Sequence, residues 1–175
     1  MAKYHRAHTM EQSFRDMDRK NWFVEHGGWW VVAQALLLLV ACFLPSRSGY
    51  ATNGLVHPAQ FVAVAFAIAG LALMTTGLFT LGKSSATPFP RPREPGGLRT
   101  AGIYRLMRHP VYTGAIIACL GWALAWLSPV GVLWVVATAV FFDRKAAHEE
   151  HLLRQRYPGY SAYQRRVRRF LPGVY

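Results

Sequence analysis

Residues 27–46, "GGWWVVAQALLLLVACFLPS", contain no charge and are apolar almost throughout. A helix of that length crosses about 30 Å of hydrocarbon. The pattern predicts a first membrane span, with Trp29 and Trp30 at one interface and Pro45 ending the helix. A second uncharged run extends from Ser48 to Gly82. Its first part, with Asn53, Gly54 and Pro58, reads as a loop, and "AQFVAVAFAIAGLALMTTGLFTLG" reads as a second span. Ala63, Ala67 and Gly70 recur there at close helical spacing, which favours tight helix packing in lipid.

Residues 83–109 break the pattern, with four prolines, three glycines and several cations. The prolines exclude a regular helix at its start. Apolar character returns at Pro110 and lasts to Phe142, interrupted only by Ser128 and Pro129. The expected elements are a third helix over about Pro110–Leu127 and a fourth from Pro129, joined by a tight turn. Proline at the first helical position suits both starts. The last apolar run stops at Asp143, about 14 residues after Pro129, which is short for a full span. "DRKAAHEEHLLRQRY" is rich in helix formers and has no breaker before Pro158. The fourth helix is therefore expected to leave the bilayer and carry its charged end into the cytosol.

Composition sharpens this picture. Hydrophobic residues make up 53% of the 175, yet the formal net charge is +12. A soluble surface needs charges of both signs, whereas a membrane protein with basic cytoplasmic segments combines these properties naturally. The cations fall in three places. Lys3, Arg6, Arg15, Arg19 and Lys20 precede the first span. Lys83, Arg91, Arg93, Arg99, Arg105 and Arg108 follow the second. Arg144, Lys145, Arg154, Arg156, Arg165, Arg166, Arg168 and Arg169 follow the fourth. The two other loops hold only Arg47. Four spans with both termini and the middle loop inside satisfy the positive-inside rule. Because the cations track that rule, nucleic-acid binding is not expected. The polar N-terminal segment lacks the apolar core of a signal peptide. Cys42 and Cys119 lie in apolar runs and read as small hydrophobes rather than a disulfide.

Two polar clusters carry candidate chemistry. "RHPVYTG", residues 108–114, opens the third helix. Tyr112 and Thr113 fall in its first turn, where backbone N–H groups are free and the dipole favours an anion. Gly114 admits a ligand or a neighbouring helix. The bland alternative is an interfacial anchor, with arginine snorkelling and tyrosine in the aromatic belt. "HEEHLL", residues 148–153, places Glu149 and Glu150 on the fourth helix. A solvated face with Glu150 paired to Arg154 at i,i+4 is the bland reading. His148 and His151 stand at i,i+3, but no third ligand is evident and no metal site is assigned. The third and fourth helices, antiparallel across a short turn, bring both clusters to one membrane face. The arginine-rich tail reads either as a segment lying on anionic lipid or as the source of a substrate-holding arginine.

At these residues the chain resembles the isoprenylcysteine carboxyl methyltransferase family, and more widely the membrane phospholipid methyltransferases. The matching text is "GLRTAGIYRLMRHPVYTG" followed by "EEHLLRQRYPGYSAYQRRVRRFLP", with "LGKSSATPFP" upstream, about residues 78–172 in all. The resemblance implies a single integral-membrane domain over residues 1–175, with spans one and two in 1–82 and the catalytic region in 83–175. The apolar runs and the charge pattern give the expected fold as an all-α polytopic bundle of about four transmembrane helices. The last two helices and the C-terminal tail would form a cytosolic cofactor site, covered by the loop 83–107. The resemblance implies S-adenosylmethionine as methyl donor, with Arg108, His109, Tyr112, Gly114 and Glu150 as cofactor-binding residues. Glu149, Glu150 and Arg166 are the catalytic candidates, and adjacent Arg165 competes with Arg166 for the tail role. The implied acceptor is a lipophilic molecule, an isoprenylcysteine-like carboxylate or thiol, in a prokaryotic plasma membrane. Phospholipid amine methylation and a non-catalytic lipid-binding scaffold are the alternatives. Eukaryotic members have more spans, so reaction class carries over better than substrate.

Overall fold

Five helices and one short 3-10 turn form the described part of the chain. The computed structural model describes residues 27–49, 57–82, 89 and 97–174. The N-terminal cations, the loop at Asn53 and Gly54, and Lys83, Arg91 and Arg93 in the segment expected over the cofactor lie outside the described residues.

Helix α1 is Gly28–Ser48 and α2 is Pro58–Leu81. Both are long and apolar enough to cross a membrane. Their large side chains point outward, among them Trp29, Leu36, Phe43, Phe61, Ile68 and Phe79. Such a surface is at home in lipid and would be an aggregation hazard in water. Helix α3 is Pro110–Ala125, apolar but only 16 residues. Helix α4 is Pro129–Arg156, 28 residues or about 42 Å. It runs without interruption from the apolar stretch ending at Phe142 into the charged stretch, as the absence of a breaker before Pro158 requires. Helix α5 is Tyr160–Arg166.

Pro45 does not end α1, contrary to the expectation from its residue type; the helix continues to Ser48. A proline removes its own N–H from the ladder and its ring crowds the carbonyl four residues before it. Beyond it, the Ser46 and Ser48 hydroxyls donate back along the helix to Phe43 O at 2.8 Å and Leu44 O at 2.7 Å. The α3–α4 turn is as tight as expected. Leu127 adopts φ 48°, and Ser128 Oγ caps α4 by accepting from Gly131 N at 2.9 Å. Ser128 Oγ also lies 2.7 Å from Ser48 Oγ, which ties the end of α1 to this turn.

Small residues set the α2–α3 contact. A Cβ on Gly114 would meet Gly70 O and Met74 N; one on Gly121 would meet Ala63 O and Ala67 N. The backbones thus touch along the Ala63, Ala67, Gly70 face. Two indoles fasten α1 to the other helices. Trp122 Nε1 donates to Cys42 O at 2.7 Å, and Trp134 Nε1 donates to Leu37 O at 3.0 Å.

Candidate active site

The approach to α3 is held by the C-terminal tail. Met107 and Arg168 form a parallel bridge. Arg108 N donates to Arg168 O at 2.9 Å, and His109 N to Arg169 O at 3.0 Å. Thr113 Oγ1 faces Phe170 O at 3.3 Å. The arginine-rich tail is therefore laid along the first cluster.

Glu150 is the centre of this arrangement and is fully buried. Arg108 Nε lies 2.8 Å and His109 Nε2 3.1 Å from its Oε1. Gln164 Nε2 donates to Oε2 at 3.0 Å, and Arg169 contacts both oxygens. Burial alone would raise the Glu150 carboxyl. Hydrogen bonds from His109, Arg169 and Arg108 outweigh it and hold the group well below the usual carboxylate range. Arg169 also reaches Asp143 Oδ1 at 2.6 Å, and Arg108 Nη1 donates to Gln164 O and Val167 O. Tyr163, its phenol pushed up to about 12 chiefly by burial, donates to Tyr104 O at 2.6 Å.

Glu149 is in a different setting. Its side chain keeps 15% exposure. The Tyr112 hydroxyl donates to Oε1. Oε2 has no hydrogen bond among the described residues; His109 Nδ1 stands 3.7 Å away. Burial raises the Glu149 carboxyl, Glu150 adds to that, and His109, Tyr112 and Lys145 work against it. Rings line this side: Tyr112 stacks on His109 at 5.4 Å and on Phe142 at 4.7 Å. An anionic oxygen with spare acceptor capacity, set against aromatic faces, is suited to a ligand cation.

The structure thus brings Arg108, His109, Tyr112, Glu149 and Glu150 together. It places Gly114 elsewhere, against the α2 backbone. Arg166 is exposed on α5 and makes none of the cluster's contacts; the tail arginine at the carboxylate is Arg169. Sequence reasoning also missed Gln164, Asp143, Lys145 and Gln34. The last two left a signal. Gln34 is an amide inside an apolar span, and Lys145 precedes Glu149 by one helical turn. The run "RRVRR" gave no means of choosing among its cations. The two histidines of the second cluster serve other contacts: His148 stacks on Trp30 at 5.7 Å, and His151 lies 3.0 Å from Gln155.

Comparison with known proteins gives this arrangement a context. Protein-S-isoprenylcysteine O-methyltransferase B of Arabidopsis thaliana is 33% identical over 110 residues, covering 61% of this chain and 56% of that protein. Its counterpart A is 41% identical over 63 residues, covering 35% and 32%. A probable protein-S-isoprenylcysteine O-methyltransferase of Oryza sativa subsp. indica is 35% identical over 79 residues, covering 44% and 41%. The matches thus span about half or less of these relatives' length. The phospholipid methyltransferase model matches residues 58–159. That stretch includes both polar clusters but neither α1 nor the tail that encloses Glu150. With more than half of its length matched, and with the RHPVYTG and Glu149–Glu150 segments joined inside the match, the chain belongs to the phospholipid methyltransferase family.

Proposed function

We propose that this chain is an S-adenosylmethionine-dependent membrane methyltransferase whose acceptor is lipophilic, in the first instance an isoprenylcysteine-like carboxylate or thiol. The observation that carries the reading is Glu149: a partly exposed carboxylate among aromatic rings, where the apolar helices end. The names of the plant relatives support the acceptor class. The charge pattern supports four spans with both termini and the site on the cytoplasmic side.

The residues present fit the cofactor. S-adenosylmethionine carries cationic sulfonium and ammonium groups, and Glu149 with the Tyr112 and His109 rings forms an anionic, π-rich surface for them. When bound, the cofactor supplies an electrophilic methyl group. Everything else falls to the protein: alignment, exclusion of water and any proton movement. Glu150 acts at one remove. Its oxygens are occupied by Arg108, His109, Gln164 and Arg169, so it fixes the His109 ring and the tail rather than meeting a ligand. Arg169 is likewise engaged, whereas Arg165 and Arg166 are exposed on α5 and available to an anionic acceptor.

A carboxylate or thiolate acceptor needs no strong base. An amine acceptor must lose a proton, and Glu149, whose proton affinity is raised by burial, is placed to take it. The family match favours this second reading, phospholipid amine methylation.

The deciding experiment is transfer of a labelled methyl group to prenylated thiol-carboxylates and to membrane phospholipids, with purified protein in lipid. Tyr112→Phe, which keeps the ring and loses the hydroxyl, should slow transfer about tenfold, equivalent to roughly 1.4 kcal/mol. Labelling of phospholipid amines alone would replace the first acceptor class with the second. Absence of both cofactor binding and transfer would return the protein to a lipid-binding scaffold.

A further inference from the structure

Lys145 is fully buried, yet the contacts of Glu150 do not include it. It lies on α4 one turn before Glu149, just past the apolar stretch. Its ammonium donates to Gln34 Oε1 on α1. It also stands 5.4 Å from the centre of the Tyr112 ring, whose hydroxyl donates to Glu149. A chain of contacts therefore runs from α1 to the candidate site: Gln34, Lys145, Tyr112, Glu149. A lysine beside a membrane surface ordinarily extends to water. This one is turned inward, and an isolated buried ammonium is costly unless it is paired and hydrogen-bonded.

We propose that Lys145, held by Gln34, is a positioning residue that fixes the Tyr112–Glu149 pair and makes the first span part of the site. The inference rests on the reading of Glu149 as the carboxylate that meets the cofactor. Three features carry it. Burial disfavours charge on both Lys145 and Glu149, so each compensates the other. Tyr112 is held from two directions, its ring by the ammonium and its hydroxyl by the carboxylate. Gln34 supplies an acceptor from a helix outside the family match. The other titratable groups acting on Glu149 are His109 and Tyr112 at the start of α3 and Glu150 on its own helix; Glu149 in turn raises the phenols of Tyr104 on the 3-10 turn and Tyr160 on α5. Lys145 is the cation on α4 that also contacts α1.

The test uses ligand-free protein first. Infrared titration follows the protonated carboxyl band of Glu149, assigned by its loss in Glu149→Gln. In Lys145→Met the midpoint should rise by at least about one pH unit, a tenfold change in the protonation equilibrium. Gln34→Leu should raise it less, because the ammonium stays and loses one of its contacts. Lys145→Arg, which keeps the cation, should return it towards wild type. If Lys145→Met does not fold, Gln34→Leu carries the test with every charge in place. Wild-type midpoints in the folded variants would overturn the proposal. The second arm measures S-adenosylmethionine binding by calorimetry, expected to weaken at least about tenfold in Lys145→Met. Wild-type protein that binds none, with the midpoint shift present, would sink the methyltransferase reading while still supporting Lys145 as the residue that positions Glu149.

Discussion

Arg169 grips Glu150 at two points, with Nη2 3.0 Å from Oε2 and Nε 3.3 Å from Oε1. The contact joins the C-terminal tail to a carboxylate in the charged half of α4. It explains why the tail lies along residues 107–109 rather than elsewhere on the surface. Glu150→Gln leaves Arg108 and Arg169 without their shared counter-charge, and a cost of about 3–5 kcal/mol is expected. Arg169→Lys keeps the charge and loses the fork; about 1.5–3 kcal/mol is expected. Arg168→Lys, at an exposed position, should stay within about 0.5 kcal/mol of wild type. Thermal unfolding in one detergent, compared across the three variants, checks the ranking. Equal melting temperatures would remove the clamp from the account of the fold.

Acid should loosen the same contact. The Glu150 carboxyl is held below its ordinary value in the folded protein. A depressed folded value means the stabilisation is present above the unfolded value, about 4.3. It is lost as pH falls from there through the folded value. Stability should therefore vary little with this group between pH 5 and 7 and decline below about pH 4. Melting curves of wild type and Glu150→Gln should converge at the acid end. Parallel curves over the whole range would contradict this.

Gly114 is a packing residue between helices. A Cβ there meets the carbonyl of Gly70 and the amide of Met74, both backbone and unable to move aside cheaply. Gly114→Ala should cost about 1–3 kcal/mol, as overpacking does. Gly159→Ala, where a Cβ would meet nothing, is the control. The readout is the melting temperature of each; a larger loss for Gly159→Ala would refute the contact.

Orientation can be read with thiol reagents. On a background lacking Cys42 and Cys119, a cysteine replacing exposed His57 should react with an impermeant reagent outside intact cells. One replacing exposed Ser161 should react only after permeabilisation. External labelling at position 161 would break the arrangement with the site on the inner face.

The sequence by itself settled the four long helices, though not the continuation of α1 past Pro45. Uncharged runs of spanning length, proline at the first turn of α3 and α4, and helix formers up to Pro158 are local signals. Backbone hydrogen bonding inside a helix depends on nearby residues alone. The small residues of α2 likewise announced a close helix contact. Side-chain identity also exposed the two polar clusters, because charges are rare in such a chain. The partners within those clusters were another matter. Glu149 and Glu150 are adjacent in sequence, but on a helix they point about 100° apart. Only packing decided that Glu150 would be enclosed by Arg108, His109, Gln164 and Arg169, while the Glu149 side chain keeps 15% exposure. Arg166 and Arg169 are equal as residue types; the chain leaves α5 at Val167, and the bridge at Met107 and Arg168 then brings Arg169 to Glu150. Gln34 and Lys145 stand 111 positions apart, and no local pattern could pair them. Their meeting depends on α1 lying against α4, a choice made by the whole bundle burying its few polar groups together.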